Sequence, residues 1–162
     1  DAGGVVVGVK TPEELTEAMN TISQHVPQHF PGLTVKRVLV QRMCAGVGEV
    51  LIGMRRDPQV GPIIVLAAGG IFTEVYRDTV MRLAPVSLKV AHQMIAKLKA
   101  IQILNGARGR PKGDLDALAE TIVAMSELAA SDDIVEAEIN PVIVRRQGEG
   151  VVAVDAMIRI KA

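Results

Sequence analysis

The chain has 162 residues, enough for one domain of ordinary size or one lobe of a larger one. Apolar residues make up 49% and aromatic residues only 2%, which argues against the stacking platforms that bind single-stranded nucleic acid. Eighteen basic and 18 acidic side chains balance, so no global positive field attracts DNA or anionic lipid.

The cysteine content and the hydropathy pattern indicate where the protein resides. A single cysteine, Cys44, excludes an internal disulfide framework and a Cys-based zinc site, and it fits a reducing compartment. No apolar run reaches the roughly 18 residues of a membrane span, and there is no signal peptide. We therefore expect a soluble, cytoplasmic protein. The chain begins with Asp1 and runs directly into an apolar segment, so we expect it to be a piece of a longer chain.

The first predicted elements are a strand and a helix. The apolar run Val5–Val9 predicts a buried strand. Thr11 is a predicted N-cap, followed by Pro12 at the first helical position and by Glu14, placed to close a capping box. Apolar residues then recur at helical spacing until Pro27, where the pattern predicts that the helix ends.

The middle of the chain is predicted to form mainly strands. The segment Val35–Met43 predicts a second strand, with a continuous apolar run at its centre. Glu49–Arg56 and Ile63–Ala68 flank a turn rich in Pro and Gly and predict a hairpin. The paired glycines after it would let backbone N–H groups approach an anion, or would simply turn the chain. Further strand is expected between Thr73 and Pro85.

Two helices follow, joined by a basic loop. Ser87 to Leu98 predicts a helix with Leu88, Ala91, Ile95 and Leu98 inward. The loop from Asn105 to Gly113 carries three cations among glycines and is either a solvated loop or a phosphate contact. Asp114 then caps a second helix. Because helices and strands cluster rather than alternate, we predict an α+β fold whose sheet is mostly antiparallel, with helices packed on it.

The last thirty residues predict a hairpin with a polar cluster. If its turn centres between Gln147 and Gly148, Asn140 directly faces Asp155, and Glu138 lies one pair along on the same face. Such amide and carboxylate oxygens form the hard site that Mg²⁺ or Mn²⁺ accepts. A turn one residue longer would send Asp155 to the opposite face.

The alternative interpretation of this cluster is a solvated face of a half-buried hairpin. Against it stands the neighbourhood of Asp155, which lies in a run that is otherwise apolar on both faces, from Val151 to Ile158. We therefore expect Asp155 to be partly buried, and a buried carboxylate needs a partner or a metal.

A series of segments carries a resemblance that spans nearly the whole chain in order. The segments are Gly3-Gly4-Val5, Val38 to Met43, Glu49 to Gly53, Arg56-Asp57-Pro58 with Gly61-Pro62, Gly69-Gly70 with Glu74, Asp78, Pro85, Arg108-Gly109, Asp114, Glu138 to Pro141, and Val154-Asp155-Ala156. Together they resemble the ATP-grasp domain of NDP-forming acyl-CoA synthetases. That family includes ADP-forming acetyl-CoA synthetase and related protein acetyltransferases, and it is similar to the succinyl-CoA synthetase β subunit.

The resemblance implies roles for particular residues. The metal ligands fall on Asn140 and Asp155, and Glu138 is placed as a secondary contact. The implied nucleotide contacts are an adenine-contacting hinge at Val40, Gln41, Arg42 and Met43 and an acidic residue at Glu49. A loop at Gly69, Gly70 and Glu74 is expected to face the transferred phosphate, and the expected catalytic residues are Glu74 and Arg108. Two departures, Ala67-Ala68 in place of a Gly-containing pair and Val60 in place of a usual Phe, remove no ligand.

The resemblance also implies what the chain lacks. A His-Lys pair and a whole nucleotide-binding lobe precede the Gly-Gly-Val segment in the family, so residues 1–162 are expected to form a single, C-terminal ATP-grasp lobe. We expect this lobe to bind ATP/ADP and Mg²⁺ weakly and to be inactive alone. CoA-binding domains elsewhere would handle acyl-CoA or acyl phosphate, and the full-length form would be oligomeric.

Three functions remain open at this point. The first is the nucleotide- and Mg²⁺-binding half of an ATP-dependent acyl-CoA synthetase, a ligase that couples phosphoryl transfer to formation of the acyl-CoA thioester. The second is the ATP-grasp part of a protein lysine acetyltransferase. The third is a non-catalytic module for nucleotide sensing or subunit docking, which the loss of Asn140 or Asp155 would have favoured.

Overall fold

A computed structural model of the protein describes residues 2–69, 78–106 and 109–161, with the backbone alone at residue 103. The chain divides into two compact units, Asp1–Met43 and Cys44–Ala162, which we describe separately. None of the helices in these described ranges is both long and apolar enough to cross a membrane.

The first unit contains one helix, α1 (Pro12–His29). The Thr11 hydroxyl accepts a hydrogen bond from the N–H of Glu14 at 3.2 Å, which confirms the predicted N-cap. The Glu14 carboxylate reaches back to the N–H of Lys10 at 2.6 Å. The prediction that the helix ends before Pro27 was wrong, because a proline so close to the end removes only one hydrogen bond of the last turn.

Two strands predicted in this unit do not form. Residues 4–10 and 33–43 have neither helix nor strand, and Val5 and Leu39 are each 81% exposed. A β-branched run becomes a strand only where a neighbouring strand completes its hydrogen bonds, and no strand exists among the described residues of this unit. The predictions of strands at Val5–Val9 and Val35–Met43 were therefore wrong.

The second unit is built on a six-stranded sheet in which every pairing is antiparallel. The strand order is β3-β2-β1-β4-β5, and β6 also pairs with β4. This arrangement confirms the predicted α+β class and the β1–β2 hairpin. The strands are β1 (Gly48–Asp57), β2 (Gly61–Ala68), β3 (Thr79–Leu83), β4 (Ile134–Val144), β5 (Val151–Ala153) and β6 (Ala156–Ile160).

Two α-helices lie between β3 and β4 in the chain and supply apolar residues to the core. They are α2 (Leu88–Lys97), capped by Ser87, and α3 (Leu115–Glu127), capped by Asp114. Leu88 is 47% exposed, so its predicted inward position was wrong: it is the first residue of α2, and the buried stripe begins only one turn later. The strands and helices share one core, whose largest fully buried members include Ile52, Met54, Ile64, Leu66, Met94, Leu98, Leu118 and Ile122.

The segment that connects α3 to β4 is held by one arginine. The Arg56 guanidinium donates to the carbonyls of Ala129, Ser131 and Ile134 at 2.9, 2.7 and 2.9 Å. Its Nη2 also lies 3.5 Å from the exposed Asp132 carboxylate. One side chain thereby pairs three backbone carbonyls between the end of α3 and the first residue of β4.

Candidate functional site

The sheet has two chemically different faces. Along β1 the buried residues Val50, Ile52 and Met54 alternate with Glu49 and Arg55, which are exposed. Successive side chains of a strand point to opposite faces, so these two groups lie on opposite sides of the sheet. We call the side that carries Glu49 and Arg55 the open face.

Two acidic residues of β4 lie on the open face. Glu136 pairs with Arg55, and Glu138 pairs with Gly53, in register with the open-face positions of β1. Between them Ala137 pairs with the buried Met54 and is itself buried. Alternation therefore directs both carboxylates away from the core.

The predicted register of the closing hairpin is confirmed. Val144 pairs with Val151 and Val142 with Ala153 in β5, and Ile139 pairs with Ala156 in β6. Between these pairs the N–H of Asn140 donates to the carbonyl of Asp155 at 3.1 Å. Asn140 and Asp155 are thus opposed residues on adjacent stretches of chain.

A bulge lies at this point of β4. Val50 pairs with Val142 but Ile52 pairs with Ile139, so β4 carries one extra residue opposite β1, beside Asn140. Bulges often re-aim side chains next to functional sites. Here the Asn140 Nδ2 amide donates to Glu138 Oε1 at 3.3 Å, which places both side chains together.

Asp155 itself is exposed, so the expectation that it would be partly buried was wrong. Its Oδ1 accepts a hydrogen bond from the N–H of Ala156 at 2.9 Å. The apolar run around it does not bury it, because β6 is exposed along its whole length at one edge of the sheet.

Glu49 and Gly69 meet at the neighbouring end of the β1–β2 hairpin. The N–H of Gly69 donates to the Glu49 carbonyl at 2.9 Å. A Cβ atom placed on Gly69 would lie 2.7 Å from the Glu49 carbonyl carbon, so only glycine allows this approach. The Glu49 side chain is exposed on the open face, where β1 neighbours β4.

The remaining predicted site residues fall into two groups. Gly70, Glu74 and Arg108 fall outside the described residues. The predicted adenine hinge belongs to the first unit and contains no strand, with Val40 63% and Met43 65% exposed. Gln41 and Arg42 lie between them in the same segment.

A further carboxylate has a role that the sequence predicted only in part. Asp114 is buried, and besides the N–H of Ala117 at 3.2 Å it accepts the N–H groups of Gly148 and Gly150 at 2.9 and 2.8 Å. These backbone bonds, that of Gly150 foremost, hold the pKa of Asp114 below its ordinary value, and the Arg145 guanidinium adds to the effect. The sequence predicted the cap of the helix but not the contacts with Gly148 and Gly150, which lie more than thirty positions later in the chain.

The donor set at the hairpin fits a hard divalent cation. Asn140, Glu138 and Asp155 offer one amide and two carboxylate side chains, all oxygen ligands. Among the described residues no three His, Cys, Asp or Glu side chains gather as a closed metal site would require. Mg²⁺ suits such an incomplete set, because it is commonly held by one or two carboxylates plus substrate phosphates and water.

A half-open depression of about 140 Å³ lies at the start of α3 and contains none of these ligands. It is lined by residues that include Asn105, Lys112 and Asp116. We place the candidate site on the open face instead, because that face gathers the oxygen donors. An open sheet face can form one wall of a ligand cleft, and one wall alone does not enclose a cavity.

Nearly the whole chain matches a known family. Residues 1–160 match the family model described as ATP-grasp domain. The β subunits of acetate–CoA ligases (ADP-forming) II and I from Pyrococcus furiosus are 39% and 41% identical to it, across 99% and 96% of this chain. The chain spans 69% and 67% of those subunits. It spans only 22% of acetate–CoA ligase (ADP-forming) I from Archaeoglobus fulgidus, at 38% identity.

Solved structures agree with this match. Dinucleotide-forming acetyl-coenzyme A synthetase 1 from Ca. Korarchaeum cryptofilum, in complex with coenzyme A, Ca-AMPCP and HgCl⁺, superposes with a TM-score of 0.90 at 34% identity, covering 99% of this chain and 69% of that one. The complex of that enzyme with coenzyme A and Mg-AMPPCP gives 0.83 at 32% identity, with the same coverage. This chain therefore belongs to the ATP-grasp domain family, among the acid–thiol ligases of the NDP-forming acyl-CoA synthetase type.

Proposed function

We propose that the chain is the nucleotide- and Mg²⁺-binding half of an ATP-dependent acyl-CoA synthetase that releases NDP and forms an acyl-CoA thioester. The observation that carries the proposal is the hairpin register, which opposes Asn140 to Asp155, with the Glu138 side chain hydrogen-bonded to Asn140. A related synthetase whose structure contains Mg-AMPPCP and coenzyme A supports it.

Asn140 and Asp155 would hold the ion, with Glu138 as a secondary contact. When bound, Mg²⁺ neutralises charge on the phosphates during phosphoryl transfer. Glu138 accepts the Asn140 Nδ2–H and so keeps the amide nitrogen turned towards itself. This arrangement leaves the amide oxygen of Asn140, rather than its nitrogen, for a cation.

The rest of the nucleotide would contact residues from the middle of the chain, between positions 40 and 108. We assign the adenine to the segment Val40–Met43 and part of the nucleotide site to Glu49. The backbone of Gly69 would lie close to the transferred phosphate, because glycine permits such an approach. Gly70, Glu74 and Arg108 complete the proposed phosphate contacts, with Glu74 and Arg108 in the catalytic roles.

The acyl group would be chosen elsewhere. Relatives of this chain include a 4-hydroxybutyrate–CoA ligase from Nitrosopumilus maritimus at 37% identity and a trans-feruloyl-CoA synthase at 33% identity. Their acyl groups differ in size and chemistry, although each relative shares this domain. We therefore assign the binding of acyl-CoA or acyl phosphate to other domains. The complete enzyme would also contain an N-terminal grasp lobe, and it would be cytoplasmic and oligomeric.

Replacing Asp155 tests this assignment. In the full-length enzyme, Asp155→Asn keeps the shape of the side chain but removes a negative charge from the ion, and we expect turnover and Mn²⁺ affinity to fall by about 10- to 100-fold. Both are measured, the affinity by electron paramagnetic resonance with the nucleotide present.

Glu149→Gln is the matched control, because Glu149 is an exposed carboxylate in the turn of the same hairpin, away from the open-face donors. It should leave turnover and Mn²⁺ affinity unchanged. Unaltered values for both quantities in Asp155→Asn would remove Asp155 from the site.

A further inference from the structure

Asn105 and Gly106 form an Asn-Gly step in the second unit. The sequence has three asparagines, Asn20, Asn105 and Asn140, and each of them is exposed. Asn105 alone is followed by glycine. Asparagine is a thermolabile residue in proteins, because the backbone nitrogen of the next residue can attack its side-chain amide. Exposure does not distinguish the three asparagines, so the backbone that follows each of them decides which one can react.

The backbone at Asn105 favours this reaction. Asn105 is the last residue of a 3₁₀ helix, Lys99–Asn105, and Gly106 follows it with a φ of 82°, in the left-handed region. Glycine has no side chain to shield its nitrogen, and its backbone adopts conformations that other residues avoid. The Asn105 amide nitrogen donates to Gln102 Oε1 at 3.3 Å, a long bond between two exposed side chains. The Asn105 amide is therefore held weakly beside an unshielded nitrogen.

The other two asparagines lack a reactive neighbour. Asn20 lies within α1, where the N–H of Thr21 is committed to the helical hydrogen bond with the carbonyl four residues earlier. Thr21 is also β-branched, so its side chain crowds its own backbone nitrogen. Asn140 precedes Pro141, whose nitrogen carries no hydrogen and cannot act as the nucleophile. Sequence and backbone together leave Asn105 as the reactive position.

We propose that Asn105 is a site of spontaneous deamidation. The backbone nitrogen of Gly106 attacks the Asn105 Cγ, and the displaced NH2 leaves as ammonia with the Gly106 N–H proton. Water then opens the resulting succinimide at either carbonyl carbon and returns a proton to the Gly106 nitrogen. The products are aspartate and isoaspartate at position 105, with one water consumed and one ammonia released.

The fold keeps the susceptible glycine in place. A Cβ at Gly106 would lie 2.8 Å from the Lys112 Cγ, and a positive φ is strained for a residue with a bulky side chain. A left-handed glycine at this position also ends the 3₁₀ helix. Replacing Gly106 by a bulkier residue that would protect Asn105 would therefore strain the backbone.

Deamidation would change the charge of the depression at the start of α3. Asn105, Lys112 and Asp116 are among the residues that line this depression, so a new carboxylate at position 105 would join one ammonium group and one existing carboxylate. The new carboxylate could not donate the hydrogen bond that Asn105 gives to Gln102. The loop from Asn105 to Gly113 carries three cations, and its net positive charge would fall by one.

Peptide mapping by mass spectrometry tests the proposal in the full-length enzyme. The folded enzyme is incubated in mildly alkaline buffer until half of a synthetic peptide with the sequence of residues 101–110 has deamidated at its asparagine in parallel. We expect the mass increase of an NH2-to-OH exchange at residue 105, together with isoaspartate, which resists cleavage by endoproteinase Asp-N. Residues 20 and 140 should keep their amides.

Two substitutions complete the experiment. Asn105→Gln should abolish the conversion, because the longer side chain would have to close a larger ring, which forms much more slowly. Asn20→Gln is the matched control: it removes another exposed asparagine and should leave residue 105 converting at the parent rate. An intact amide at residue 105 when the peptide is half converted, or faster conversion at residue 20 or 140, would overturn the proposal.

Discussion

At the scale of single residues, Asp114 links helix α3 to the turn between β4 and β5. Its carboxylate accepts three backbone N–H groups, two of them from glycines more than thirty positions later in the chain. We expect Asp114→Ala to lower the free energy of unfolding by about 1–3 kcal/mol, measured by urea denaturation, because a cap and two turn bonds are lost together.

The pKa of Asp114 gives this prediction a pH dependence. Because the pKa in the folded state is lowered, the ionised group stabilises the fold above the unfolded-state pKa of about 3.9, and this stabilisation is lost as pH falls through the folded pKa. Asp114→Asn should therefore be less stable than the parent at pH 7 and approach it at low pH. The exposed neighbour is the control: in Asp116→Asn the stability difference from the parent should be small at both pH values.

Gly69 lies at a position where the backbone leaves no room for a side chain. A Cβ there would lie 2.7 Å from the Glu49 carbonyl carbon, whereas a Cβ at Gly53 would meet nothing closer than 3.6 Å. We expect Gly69→Ala to destabilise the fold by about 1–3 kcal/mol in denaturant titrations, since the backbone must shift. Gly53→Ala should be tolerated, and equal losses in the two variants would contradict the steric argument.

At the scale of elements, Arg56 joins the end of α3 to the start of β4. Its forked guanidinium reaches three carbonyls, which a single ammonium group cannot satisfy with the same geometry. We expect Arg56→Lys to cost about 1–3 kcal/mol and to speed amide hydrogen exchange in residues 129–134. Its neighbour Arg55 points to the open face, so Arg55→Lys should change neither quantity.

The sequence predicted a strand correctly where its pairing strand follows within a few residues of the chain. The β1–β2 hairpin and the β4–β5 register followed from turns and alternation within a few residues, and both were confirmed. The strands at Val5–Val9 and Val35–Met43 were wrong, because an apolar run does not reveal whether a neighbouring strand is present.

At the scale of the whole molecule, the two faces of the sheet have different roles. One face packs apolar residues against the core, and the open face carries Glu138, Asn140 and Glu49. The sequence predicted the opposed pair, but not the exposure of Asp155, because burial depends on which strand lies at the edge. Nor did it show that Asp114 binds Gly148 and Gly150, since that contact joins distant segments.

The central claim is that Asn140 and Asp155 hold a divalent ion beside the nucleotide. A crystal structure of the full-length enzyme with Mg²⁺ and a non-hydrolysable ATP analogue tests it directly. We predict an ion about 2.0–2.1 Å from the Asn140 Oδ1 and from one Asp155 carboxylate oxygen, with phosphate oxygens completing its shell. An ion bound to the analogue without contact to either side chain, or the analogue bound away from the open face, would contradict the claim.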